Sequence, residues 1–261
     1  MLRVGCPESL AARLYIDNLG DRVPPHTVTH QTPARLAGML AGAELDVALI
    51  PAPLFYERAD HLLVPDCSVS CQGESLTAFL CLRKPLPELE RVGLDAGHPC
   101  ESMLVRVLLA ERDGLSPEYV ASPRAAERAK DKSLDAFLSC GELGAADGCG
   151  ELDRIDLGEA WWRFARLPMV FSVWVTREGV DLAGFDKALL RAKRDGLRHA
   201  RKRAGEAAAE LGLPGELVVE YLTRELSCDL TTVEVGGMET FHRYAVKCGL
   251  SERSGAIEFY R

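Results

Sequence analysis

Residues 154–175, RIDLGEAWWRFARLPMVFSVWV, constrain the fold more than any other part of the chain. They read as a strand, a turn, a tryptophan-rich helix and a second apolar strand. Residues 42–56, GAELDVALIPAPLFY, carry a counterpart, an apolar strand that stops at Pro51. Within it, residues 46–50 form a short apolar run of the kind buried on both faces of a parallel sheet. Before this run, residues 2–6 read as a strand, 10–19 as a helix and 26–30 as an extended β-branched segment. Thr32 then caps a helix that runs through Ala41. This βαβαβ order predicts an α/β chain with a doubly wound sheet, whose ligands sit near the carboxyl ends of the strands.

A second α/β unit follows. Residues 75–82, SLTAFLCL, read as a strand, with Pro85 and Pro87 behind it. Strands are predicted at 91–95 and 134–139, with a helix at 103–112, and 154–157 and 169–175 complete the unit. After Thr176 the chain reads as helical: a basic amphipathic helix over 185–203, another opened by Pro214, and a last one over 234–248. The order fits two lobes. Residues 1–84 plus 176–261 are expected to form lobe one, with 85–175 inserted as lobe two. Two crossings make a hinge, and the cleft between the lobes is the natural ligand site.

The chain has 261 residues, 47% of them hydrophobic, enough for one large or two modest cores. A net charge of −8 argues against nonspecific binding to nucleic acid or an acidic membrane surface. Met1 leads directly into the first strand, and no apolar run approaches the roughly 18 to 20 residues of a membrane span. The expectation is a cytoplasmic protein without membrane contact. Nine cysteines, an odd number, argue against a disulfide framework. The closest pair, Cys67 and Cys71, has no histidine beside it, so free thiols and no metal are expected. Nothing in the sequence reports the oligomeric state.

Asp156-Leu157-Gly158-Glu159-Ala160-Trp161, Leu167-Pro168-Met169-Val170-Phe171 and Glu220-Tyr221-Leu222-Thr223 carry a resemblance. With the two long segments above, they make the chain similar to the chorismate dehydratases of futalosine-pathway menaquinone biosynthesis, from Arg3 to about Leu250. The resemblance implies a two-lobe type II periplasmic-binding-protein-like fold with a helical C-terminal segment. It implies a hydro-lyase that takes water from chorismate to give 3-[(1-carboxyvinyl)oxy]benzoate. Aromatisation drives that reaction, so it requires neither metal nor organic cofactor, only binding, orientation and proton transfer. The implied partner is a small anionic metabolite.

Carried over residue by residue, the resemblance marks these positions. Ser9-Leu10-Ala11 stands where the family has Tyr-Leu-Asn, so the important Asn becomes Ala11. Backbone N–H groups around Ala11 and Ala12, and near Ser102, are expected to hold carboxylates. Thr77 takes the place of a cleft serine and is the implied catalytic hydroxyl. The family's Ser/Thr-rich turn reads His98, Cys100, Glu101 and Ser102 here. Gly141 is kept, and Glu142 replaces an Asp. Asp156, Gly158 and Trp161 read as scaffold. Two other readings stand beside the lyase: a repurposed, non-catalytic small-molecule binder, and a dihydroxynaphthoate-forming relative with His98 as its base. Glu101 and the loss of the Asn favour a less anionic ligand.

Overall fold

The computed structural model describes residues 1–20, 23–121, 125–141, 143–144, 148–252 and 256–261, with side chains left aside for 125–127. Glu142, one of the candidate residues, lies outside the described residues.

Two mixed sheets organise the chain. The first contains β1 (Leu2–Cys6), β2 (His26–His30), β3 (Val47–Pro51), β4 (His61–Cys71), β10 (Met169–Arg177) and β11 (Leu226–Ser227), in the order β11-β4-β10-β3-β1-β2. β1 pairs in parallel with β2 and β3, while β10 runs antiparallel to β3 and β4. The second sheet has the order β7-β6-β8-β5-β9, from β5 (Ala78–Leu82), β6 (Arg91–Leu94), β7 (Glu118–Ala121), β8 (Ala136–Cys140) and β9 (Asp153–Asp156).

Helices cover both sheets. α1 (Leu10–Ile16) and the long α6 (Phe185–Leu211) pack on one face of the first sheet through Leu14, Tyr15, Leu189 and Ala192. α2 (Pro33–Ala41) covers the other face with Leu36 and Leu40. α3 (Pro99–Val107), α4 (Ala125–Lys130) and α5 (Leu157–Ala165) belong to the second sheet, and α7 (Gly215–Glu220) follows α6. α8 (Thr232–Lys247) begins in a capping box between Thr231 and Glu234. It spans both cores, with Met238 in the first and Phe241 against Trp161 in the second, ring centroids 5.5 Å apart.

Strand pairing moves both expected crossings. β5 falls in the second sheet rather than with residues 1–84, and β10 falls in the first rather than with 85–175. The chain therefore crosses over residues 72–77 and again over 166–168, after α5. Both strands are apolar on both faces, which fits a central place in either sheet, so hydrophobicity could not assign them. β10 makes the first sheet mixed, running antiparallel to β3 on one side and to β4 on the other.

The first crossing is fastened to the start of α5. The Asp156 carboxylate caps α5 by accepting from the backbone N–H of Gly158 and Glu159. It also accepts from the Ser75 and Leu76 N–H groups at 2.9 Å and from the Ser75 hydroxyl at 3.0 Å. A Cβ on Gly158 would lie 2.5 Å from Cys71 Sγ and 2.7 Å from the Gly73 carbonyl oxygen, so only glycine allows this approach.

One disulfide corrects the expectation of free thiols throughout: Cys81 on β5 is joined to Cys149. The chain after β8 folds back over β5 and brings together residues that sequence spacing gave no reason to pair. They pack with Phe79, Leu134 and Phe137.

Candidate functional site

Between the sheets lies a cavity of about 270 Å³. It stands at the carboxyl ends of β1, β2 and β8, as the doubly wound order predicts. The first lobe contributes Glu8, Ser9 and Ala11 from the start of α1 and Thr32 from the start of α2. Leu49, Val69, Phe171 and Ser172 form the floor, and Tyr221 stands at the side. Facing them are Thr77, His98, Glu101 and Gly141. One hydrogen bond spans the opening, from the Ala34 N–H to the Gly97 carbonyl at 3.3 Å.

Of the residues singled out in the sequence, Ala11, Thr77, His98, Glu101 and Gly141 meet at this cavity. Three do not line it. Ala12 is buried in the first core, and its N–H donates to the Ser9 hydroxyl at 3.2 Å. Cys100 is buried with its thiol 3.9 Å from the Val170 carbonyl. The Ser102 hydroxyl accepts from the Asp95 N–H and donates to the Asp95 carbonyl, while its own N–H donates to His98. The amides of Ala12 and Ser102, expected to hold carboxylates, are thus already bonded within the chain.

Thr77 lies just before β5 rather than on it. Its carbonyl accepts from the Gly141 N–H at 3.1 Å, which ties it to the end of β8. Among the described residues its hydroxyl makes no hydrogen bond and remains available to a ligand. Gly141 has φ +117°, and a Cβ there would sit 2.8 Å from His98 Nε2. The missing side chain lets the imidazole lie against the backbone.

Behind His98 is an ionic cluster that sequence reasoning missed. Asp95 directly follows β6, and its carboxylate accepts from the Gly97 N–H at 2.8 Å and from Arg128 Nη2 at 2.6 Å. Arg128 is buried and also donates through Nε to the Leu138 carbonyl. His98 Nδ1 lies 3.4 Å from Asp95 Oδ2. Burial opposes the charged form of His98, but the carboxylates of Asp95 and Glu101 outweigh it and raise its pKa. Burial likewise favours protonated Asp95, and His98 with Arg128 overcomes it, so its pKa falls. Glu101 is pushed up by burial, with partial relief from His98. The Cys140 thiol is driven well above its ordinary value, first by burial and then by Glu101 and Asp95. The signal that could have found this cluster is Asp95-x2-His98 at a strand-to-helix turn. Its third and fourth members come from distant segments.

A larger recess of about 730 Å³ lies near β9, lined in part by Arg112, Arg154 and Arg163. Its charges are largely spent locally: Arg112 pairs with Asp113 at 2.7 Å and Arg163 with Glu159 at 2.5 Å. The interlobe cavity, with an uncommitted hydroxyl and a titratable pair, is the better candidate.

Two lobes, two crossings and a cleft at the strand ends define a periplasmic-binding-protein-like fold. The aliphatic sulphonate-binding protein SsuA of Escherichia coli superimposes with a TM-score of 0.69 at 16% identity, over 97% of this chain and 94% of its own. A protein from Archaeoglobus fulgidus matches with a TM-score of 0.76, also at 16% identity, over 96% and 98% of the two chains. The chain belongs to the menaquinone biosynthesis family, whose model matches residues 2–247. It is 28% identical over 218 residues to the chorismate dehydratase of Thermus thermophilus, covering 77% of this chain and 80% of that one. Among the described residues, no helix is long and apolar enough to cross a membrane.

Proposed function

We propose that the interlobe cleft binds a small carboxylated ring compound and eliminates water from it, as in the conversion of chorismate to 3-[(1-carboxyvinyl)oxy]benzoate. The observation that carries this reading is the meeting of Ala11, Thr77, His98 and Gly141 around one cavity. In the elimination, the ring C–O bond breaks with its electron pair on the departing hydroxyl. The electrons of the neighbouring C–H bond become the new ring π bond. The proton from that C–H bond goes to the departing hydroxyl, which leaves as water, and the Thr77 hydroxyl would relay it. The start of α3, which has no side-chain cap, favours an acceptor group such as a carboxylate at the same opening. Closure around the ligand removes water and holds the ring in the reacting geometry.

Specific features favour a second reading, a non-catalytic binder of a less anionic ligand. Glu8 and Glu101 line the cavity, no described lysine or arginine does, and Ala11 offers no side-chain amide. One experiment separates the two. The purified protein is incubated with chorismate and the products are weighed by mass spectrometry against an enzyme-free control. A product lighter by one water, formed only with protein, is expected. Folded protein that yields none sinks the dehydratase reading and leaves the binder.

A further inference from the structure

We propose that Asp95, His98 and Cys140 form a binding site for a thiophilic divalent cation of the zinc class on the lobe-two wall of the cleft. The proposal stands apart from the dehydratase reading. One ligand atom from each residue lies within 4.8 Å of the other two. Zinc holds sulfur at about 2.3 Å and nitrogen or oxygen at about 2.0–2.2 Å, so tetrahedral donors sit roughly 3.3–3.8 Å apart. Closing the remaining gap takes about 1 Å, within reach of side-chain rotation at the end of β8 and in the turn after β6.

Three further features support the site. His98 Nδ1 is buried without a hydrogen-bond partner, and its nearest acceptor, Asp95 Oδ2 at 3.4 Å, lies off hydrogen-bonding geometry. A cation between the two would satisfy both. Asp95 already carries the outer partners that orient a ligating carboxylate, the Gly97 N–H at 2.8 Å and Arg128 at 2.6 Å. Arg128 leaves a second lone pair on Oδ2 free. Its positive charge opposes a cation, but the local sum still favours one. Asp95, a Cys140 thiolate and the nearby Glu101 carry three negative charges against the one of Arg128. The balance matches a dication, and binding releases the thiol proton. His98 and Gly141 line the cavity, so the cation would lie directly behind the cleft surface. There a ligand carboxylate or water completes the shell, as in zinc sites with three protein donors. Such an ion adds positive charge close to the cavity surface, where Glu101 stands.

The test is a Co2+ titration of full-length, chelator-treated protein. The expected result is a near-ultraviolet thiolate-to-cobalt charge-transfer band that saturates at one equivalent, with visible bands of four-coordinate intensity, displaced by zinc. Cys140→Ser, its fold checked by circular dichroism, is expected to lose the band, whereas Cys100→Ser keeps it. His98→Ala is expected to weaken metal binding at least about tenfold, as loss of ligand support does elsewhere. A wild-type protein with no saturable band overturns the proposal, and so does a band that survives Cys140→Ser. Turnover of chorismate is read separately, so failure of either reading leaves the other standing.

Discussion

The two walls of the cleft are built from different chemistry. The first-lobe wall, around Ser9, Ala11, Thr32, Leu49 and Val69, is neutral apart from Glu8. The second-lobe wall carries His98 and Glu101 at its surface, with Asp95, Arg128 and Cys140 behind them. One side thus offers shape and the other charge. Apart from Glu8 and Tyr221, the titratable groups that line the cavity, His98 and Glu101, therefore stand on lobe two. The amide that the family resemblance places on lobe one is the group missing here, because its position is Ala11. This leaves the charged wall to do more of the work.

The comparison is broken most sharply at Arg128. Arg128→Met leaves Asp95 buried without the guanidinium 2.6 Å from its carboxylate and is expected to lower stability by about 3–5 kcal/mol. Chemical denaturation measures it, and a loss under 1 kcal/mol would mean that the ionic wall is not held by this pair. Next comes Thr77→Val, which keeps shape and removes the hydroxyl. A fall of about 10- to 100-fold in kcat for chorismate, with melting temperature unchanged, is expected. An unaltered kcat would take Thr77 out of the chemistry.

Ala11→Asn sharpens the comparison from the neutral side. One added hydrogen bond to the ligand is expected to raise kcat/KM about tenfold, roughly the 1.4 kcal/mol of a good single bond. A decrease would show that the first-lobe wall has been reshaped around alanine.

Asp135, just before β8 and at the end of that strand away from the cleft, gives a control in acid. Its carboxyl is held down to about 2 by Lys84 at 2.7 Å, helped by the backbone N–H groups of Glu90 and Arg91. A depressed pKa adds stability above the unfolded value near 3.8, and that stability is lost as pH falls toward 2. Asp135→Asn is therefore expected to flatten the acid limb of a stability profile between about pH 4 and 2. A profile identical to wild type would remove this pair from the account. The smallest effect belongs to Arg13→Ala. Its partners Asp17 and Glu210 are exposed, so the loss is expected to stay below about 1 kcal/mol. A larger loss would mean that packing of the arginine stem, rather than charge, holds α1 to α6.

Much of the lining of the candidate site is legible in the sequence. The family resemblance marks Ala11, Thr77, His98, Glu101 and Gly141, and all five line the interlobe cavity. Ala12, Cys100 and Ser102 were marked by the same reasoning and point elsewhere. A helix turns about 100° per residue, so a neighbour of a lining residue in sequence faces the core. Asp95 lay in a turn that had been singled out. Its importance comes from Arg128, whose side chain reaches it from a different helix.

By itself, the sequence determined the alternation of strands and helices, the α/β class and the position of the cleft at the strand ends. These follow from local periodicity and from the short apolar runs of parallel strands. Tertiary structure alone decided which sheet takes β5 and β10. It also decided that Cys81 meets Cys149, and that Asp95, His98, Arg128 and Cys140 converge behind one wall. Strands apolar on both faces suit either sheet equally, and groups far apart along the chain acquire partners only once the sheets have formed. The ionic wall is therefore a property of the fold, written in residues that look unconnected until the chain closes around them.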